Sequence, residues 1–207
     1  MSPIQQILTQ KIVAIVRLDD YERAVEVAQA LVAGGITVLE FTLTGAGAIE
    51  AIATVRHRLG DAACIGVGTV LKPEDAHAAI DAGAQFVVTP AVRQPVIAAC
   101  ISRRTPICCG GFTSTELLEA YEAGADIVKL FPAHVGGPKY VKDLLAPLPF
   151  LKIMPTGGVS AENARGFLEA GAVAVGIGGN LISKQAVAAG AFEQITAVAQ
   201  ACVAAMR

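Results

Sequence analysis

Two hydrophobic rhythms alternate along the chain. Short runs, rich in β-branched residues and almost continuously apolar, read as buried parallel strands, because a strand covered on both faces has no polar face to show. They fall at residues 11–16, 37–43, 64–68, 86–89, 106–109, 127–131, 152–155 and 174–177. Between them lie Ala-, Glu- and Leu-rich segments with helical spacing, at 21–33, 48–59, 73–82, 94–102, 114–123 and 161–170. No linker or low-complexity tract interrupts the alternation, so 1–207 reads as one domain.

An internal repeat sharpens this pattern. Ala-Gly-Gly or Ala-Gly-Ala recurs at Ala33-Gly34-Gly35, Ala82-Gly83-Ala84, Ala123-Gly124-Ala125 and Ala170-Gly171-Ala172, each time between a helical segment and a strand. Glycine there predicts a left-handed helix cap, a conformation that a Cβ penalises. Eight strands alternating with helices predict an α/β fold, a (β/α)₈ TIM barrel with a short N-terminal helix. A doubly wound open sheet is the alternative, but no GxGxxG opens the chain near its first strand.

Composition narrows the function classes. With 16 Lys and Arg against 18 Asp and Glu, and no basic cluster longer than Arg103-Arg104, nucleic acid is excluded as a partner. The longest apolar stretches are strand-sized, which excludes a membrane span, and the opening Met1-Ser2-Pro3 carries no signal-like pattern. The five cysteines lack zinc-site spacing and read as reduced, buried thiols. No metal site or cofactor is expected, and the location expected is cytoplasmic.

In a barrel the C-terminal ends of the strands face the active-site mouth. Those ends offer Arg17, Glu40 with Thr42 and Thr44, Thr69, Thr89-Pro90, Gly110-Gly111, Lys129, Thr156-Gly157-Gly158 and Gly178-Gly179-Asn180. Lys129 lies in the apolar run Ile-Val-Lys-Leu-Phe-Pro. A buried amine is costly to keep charged, and the neutral form attacks carbonyls to give a Schiff base. The alternative is a stem packed along the strand with its ammonium reaching water. Glu40, in Val-Leu-Glu-Phe-Thr, is placed either to shuttle protons near neutral pH or to pair with a neighbouring cation. The glycines after the last two strands predict a phosphate cradle, since backbone N–H groups meet an anion closely where side chains are absent. Ser160 is a candidate cap for the helix that follows. His134, five residues past Lys129, is positioned to reach the mouth.

With these residues in view, the chain resembles the 2-keto-3-deoxy-6-phosphogluconate (KDPG) and 4-hydroxy-2-oxoglutarate (KHG) aldolases along essentially its whole length. The resemblance lies in Val38-Leu39-Glu40-Phe41-Thr42, Gly66-Val67-Gly68-Thr69-Val70, Gly83 to Pro90, Val128-Lys129-Leu130-Phe131-Pro132-Ala133, Pro155-Thr156-Gly157-Gly158-Val159 and Gly176-Ile177-Gly178-Gly179. It implies Lys129 as the Schiff-base residue and Glu40 as general acid and base. Thr69, Arg17, Thr44 and Pro90 are implied at the pyruvate end, and Gly157, Gly158, Gly178, Gly179 and Asn180 at the phosphate. It also implies metal-independent chemistry and a homotrimer acting on phosphorylated keto acids and pyruvate. Three positions depart from the pattern. Thr44 stands where many members have arginine, Asn180 where several have serine, and His134 where glutamate is common. The expected reaction is cleavage of KDPG to pyruvate and glyceraldehyde 3-phosphate, with KHG or the galactonate epimer as further substrates. A phosphosugar isomerase and a non-catalytic metabolite-binding trimer are competing expectations. No second acid or base besides Glu40 supports the isomerase, and a binder gains nothing from a desolvated lysine.

Overall fold

The computed structural model describes residues 1–206. Its strands are β1 (Ile12–Val16), β2 (Val38–Thr42), β3 (Cys64–Gly68), β4 (Val87–Val88), β5 (Ile107–Gly111), β6 (Ile127–Leu130), β7 (Ile153–Pro155) and β8 (Val175–Ile177). All pairings are parallel, in the order β7-β6-β5-β4-β3-β2-β1-β8. An isolated Thr156–Gly176 bridge and a bond from the Val173 N–H to the Ile153 carbonyl (3.0 Å) bring β7 to β8 and close the barrel.

The helices are α1 (Pro3–Gln10), α2 (Ala24–Ala33), α3 (Ala48–Leu59), α4 (Pro73–Asp81), α5 (Gln94–Ser102), α6 (Ser114–Glu122), α7 (Gly137–Leu145), α8 (Ala164–Glu169), α9 (Lys184–Ala188) and α10 (Phe192–Ala205). Every strand residue is buried, which is why the strands read as continuous apolar runs.

Side-chain alternation along the strands splits the core in two. One cluster, including Leu39, Phe41, Ile65, Val128 and Ile153, packs between sheet and helices. A second, of Val13, Val38, Cys64, Phe86, Val88, Cys108, Ile127, Met154 and Ala174, fills the lower barrel, and Ile7 of α1 belongs to it. α1 therefore plugs the N-terminal end. It starts on a capping box in which Ser2 accepts from the Gln5 N–H and the Gln5 side chain accepts from the Ser2 N–H.

The four Ala-Gly repeats are helix caps of one kind. Gly35, Gly83, Gly124 and Gly171 all have φ between 90° and 106°. The N–H of the next residue reaches back to the helix in each case: Ile36 to Leu31, Ala84 to Ala79, Ala125 to Ala120 and Ala172 to Phe167, at 2.9–3.1 Å.

Two expected helices start later than their patterns. Residues 21–23 form a turn ahead of α2, and residues 161–163 a turn ahead of α8. Ser160 is consequently not the cap of α8. Its N–H donates to Asn163 Oδ1 at 3.0 Å, and its hydroxyl bonds the Glu162 carboxylate.

Candidate active site

Glu40 and Lys129 occupy equivalent heights in the barrel. Val38 and Ile127 belong to the lower plug, and two residues further along each strand the side chains of Glu40 and Lys129 again point inward. Lys129 is aligned with Gly110 and Met154 on the neighbouring strands, and Glu40 with Ile15 and Gly66. Lys129 is only 3% exposed, and its Nζ lies 5.4 Å from the centre of the Phe131 ring. Glu40 is 0% exposed, and neither carboxylate oxygen has a hydrogen-bond partner among the described residues. Gly68 makes the room, because a Cβ there would overlap the Glu40 carboxyl. Gly66 does the same for the Phe86 ring beneath.

Burial pushes the Glu40 carboxyl above its ordinary value, while the charges of Lys129 and then Arg17 pull it partly back. A proton is therefore held on Glu40 to higher pH than on a surface glutamate, beside a buried amine. Such a pair can donate and accept protons around a carbonyl carbon without a metal ion.

A cavity of about 280 Å³ opens nearby, walled in part by Phe131, whose ring the Lys129 amine faces. Its walls are Ile15, Arg17, Phe131, Thr156, Gly157, Gly158, Val159, Gly178, Gly179 and Asn180. All five residues expected to bind phosphate thus meet around one space. Gly157 and Gly158 have φ of 93° and 75°, so the turn after β7 depends on glycine. Asn163 Nδ2 donates to the Gly158 carbonyl at 2.9 Å, and Asn180 Nδ2 to the Val159 carbonyl at 3.0 Å. These bonds brace both loops and leave the second Asn180 amide hydrogen unassigned to them. α8 and α9 begin several residues beyond the glycines, so the glycines that line this space belong to the turns and not to a helix end.

The residues expected at the pyruvate end are spread around the same rim. Thr69 follows β3 with φ of 60°, an unusual conformation for a β-branched residue and a mark of local strain. The Thr44 hydroxyl is 2.8 Å from that of Thr42. Pro90 backs onto Gly110, whose missing Cβ lets the two backbones touch. Arg17 is exposed, lines the glycine cavity and is near enough to Glu40 to influence its proton. The guanidinium expected at the carboxylate end therefore also borders the phosphate cradle. His134 is exposed at the rim, with its Cβ against Gly158 and its N–H bonded to the Gly157 carbonyl at 3.0 Å.

Two lining residues were given no role by the sequence reading, although Thr156 stood among its strand-end residues. Thr156 is 4% exposed, and its hydroxyl has no partner within the protein. Phe131 walls the cavity and faces the Lys129 amine. Thr156 did leave a signal, as a polar residue closing an apolar strand, whereas Phe131 is indistinguishable from core by type.

The chain is similar to known proteins along most of its length. The family model described as KDPG and KHG aldolase matches residues 4–198. A 2-dehydro-3-deoxy-phosphogluconate aldolase of Treponema pallidum is 38% identical over 191 residues, spanning 92% of this chain and 90% of that protein. A 2-dehydro-3-deoxy-6-phosphogalactonate aldolase of Escherichia coli is 35% identical, spanning 82% and 83%. The crystal structure of the Legionella pneumophila KDPG aldolase, with pyruvate captured as a covalent carbinolamine, superposes with a TM-score of 0.90 at 29% identity over 98% of each chain. With the barrel, the buried lysine and glutamate and the glycine cavity in the same places of the sequence as its motifs, this chain belongs to the KDPG and KHG aldolase family.

Proposed function

We propose that the protein is a class I aldolase that cleaves KDPG to pyruvate and glyceraldehyde 3-phosphate. The observation that carries this reading is a buried lysine and a buried, unpartnered glutamate on opposite strands of one barrel, with a glycine-lined cavity walled by the Phe131 ring that the lysine amine faces.

The neutral Lys129 amine attacks the C2 ketone and forms a carbinolamine. Glu40, holding its proton, gives it to the departing hydroxyl, so that water leaves and a protonated imine remains. The Glu40 carboxylate, directly or through a water, then takes the proton of the C4 hydroxyl. The C4 oxygen becomes the aldehyde, the C3–C4 pair moves into an enamine, and the imine nitrogen accepts the displaced electrons. Reprotonation at C3 and hydrolysis release pyruvate and restore the amine. Thr69, Thr44, Pro90 and Arg17 hold the pyruvate end, and Gly157, Gly158, Gly178, Gly179 and Asn180 hold the phosphate.

The chemistry would operate in a homotrimer in the cytoplasm, with the barrel as the one domain. An exposed apolar pair, Tyr121 and Phe150 with rings 5.0 Å apart, supports association between copies. The five free cysteines suit a reducing compartment.

Borohydride reduction in the presence of pyruvate, read by intact mass and peptide mapping, tests the reading. A pyruvyl adduct on Lys129, absent from folded Lys129→Ala, is expected. Its absence from well-folded parent protein would overturn the aldolase reading. Assays with both C4 epimers then rank the substrates, with the gluconate series expected to show the higher kcat/KM.

A further inference from the structure

At the rim of the barrel above β1 and β2 stands a group that the reaction above leaves unused. Tyr21 lies in the turn before α2, is buried, and packs on Phe41 with ring centres 5.9 Å apart and planes tilted by 53°. Its hydroxyl lies 2.6 Å from the Thr42 carbonyl oxygen and 3.0 Å from that of Val16. These are the last residues of β2 and β1, and the backbone register between the two strands ends at Val16–Phe41. The phenol thus continues the link between β1 and β2 where backbone pairing stops.

Neighbouring contacts hold the same loop. The Ala46 N–H donates to the Asp19 carbonyl at 3.1 Å, and the Lys184 ammonium pairs with the Asp19 carboxylate at 2.6 Å. At Gly45 a Cβ would overlap the Leu18 carbonyl, so the two loops interlock only with glycine there. Burial holds the Tyr21 hydroxyl protonated to above its ordinary range, which keeps it a donor throughout the working pH range.

We infer that Tyr21 is a positioning residue, whose hydroxyl clasps the ends of β1 and β2 and thereby fixes Arg17 relative to Glu40. Arg17 follows Val16 directly, and Glu40 stands two residues before Thr42. A phenylalanine would keep the ring packing but remove the one hydroxyl hydrogen shared between the two strand-end carbonyls, freeing the β1 end to drift. The inference rests on the binding role proposed for Arg17.

A double-mutant cycle of Tyr21→Phe and Arg17→Ala, read by kcat/KM for KDPG, tests it. Arg17→Ala is expected to lose about tenfold or more, and Tyr21→Phe about five- to tenfold, mainly through KM, with pyruvate trapping on Lys129 retained. The double variant is expected to be no worse than Arg17→Ala, because the clasp has nothing left to position. Thermal melting follows the fold in parallel, and a merely structural role would lower stability while leaving the two activity losses to multiply. Multiplying losses, or parental activity in Tyr21→Phe, would overturn the inference. Parental activity in Arg17→Ala would overturn it together with the Arg17 role, while an intact Lys129 adduct would leave the aldolase reading standing. Should Tyr21→Phe not fold, Gly45→Ala displaces the same loop from the β2 side, and the same non-multiplying behaviour with Arg17→Ala is required.

Discussion

Glu40 carries a conflict between stability and chemistry. A carboxylate with no hydrogen-bond partner and no water contact is a poor core residue, and it persists here inside the barrel. Because folding raises its proton affinity above the ordinary value of 4.5, the folded protein binds more protons than the unfolded chain above that pH. Stability associated with this group is complete below about 4.5 and is lost as pH rises through the higher folded value. Glu40→Gln removes that loss. Relative to the parent, the variant should therefore gain stability as the pH is raised from 4 to 7, read by urea unfolding. Its kcat should fall roughly 10²–10⁴-fold. Equal stability differences at both pH values would sink the account. The second charge near Glu40 gives a companion expectation. Arg17 lowers the proton affinity of Glu40, so Arg17→Ala should move the acid limb of the kcat/KM profile to higher pH. Glu40 and Lys129 were legible in the sequence because a charge inside an apolar run is anomalous by type alone. Tyr21 was not, since it reads as the first apolar position of a helix and its hydroxyl bonds depend on where two distant strands end.

Strand and cap positions were the most legible features, because local chemistry sets them. Glycine at a helix end permits a left-handed cap, and Gly35, Gly83, Gly124 and Gly171 each adopt it. β5 runs two residues past its apolar stretch to Gly111. Those glycines pair with Lys129 and Leu130, although their composition resembles a turn. α7 and α10 were not singled out, and α7 opens on Gly137-Pro138, which reads as a loop until the proline is seen at the first helical turn. The loops proposed to hold phosphate were recognisable as glycine pairs, but not the packing that constrains the second glycine of the β7 loop. Gly158 has φ of 75°, and a Cβ on it would run into the His134 side chain. Gly158→Ala is therefore expected to raise KM for the phosphorylated substrate about tenfold or more while leaving cleavage of unphosphorylated 4-hydroxy-2-oxoglutarate within about twofold. Steady-state kinetics on both substrates decide it, and equal losses on the two would place the damage elsewhere than the phosphate end.

At the scale of the whole barrel, closure is uneven. Six neighbouring strand pairs register two or more residues and β3–β4 registers Val67–Val87, whereas β7 and β8 meet through the isolated Thr156–Gly176 bridge and the Val173–Ile153 bond. Gly176 permits even that contact, since a Cβ there would overlap the Thr156 hydroxyl. The seam with the fewest backbone bonds is where local opening costs least, so amides of 153–157 and 173–178 should exchange faster than those of β2 and β3. The glycine loops that leave β7 and β8 flank this seam and share one cavity. An anion bound by N–H groups from both loops would bridge the seam from above and close the barrel further. Binding to the folded state alone stabilises by about 2.7 kcal/mol at a ligand concentration of 100 Kd. A non-cleavable phosphorylated ligand such as 3-phosphoglycerate should accordingly raise the melting temperature and slow hydrogen exchange most at 153–157 and 173–178, with little change in β2 and β3. Protection spread evenly over all strands would mean that ligand stabilises the barrel only globally and that the seam is no weaker than the rest.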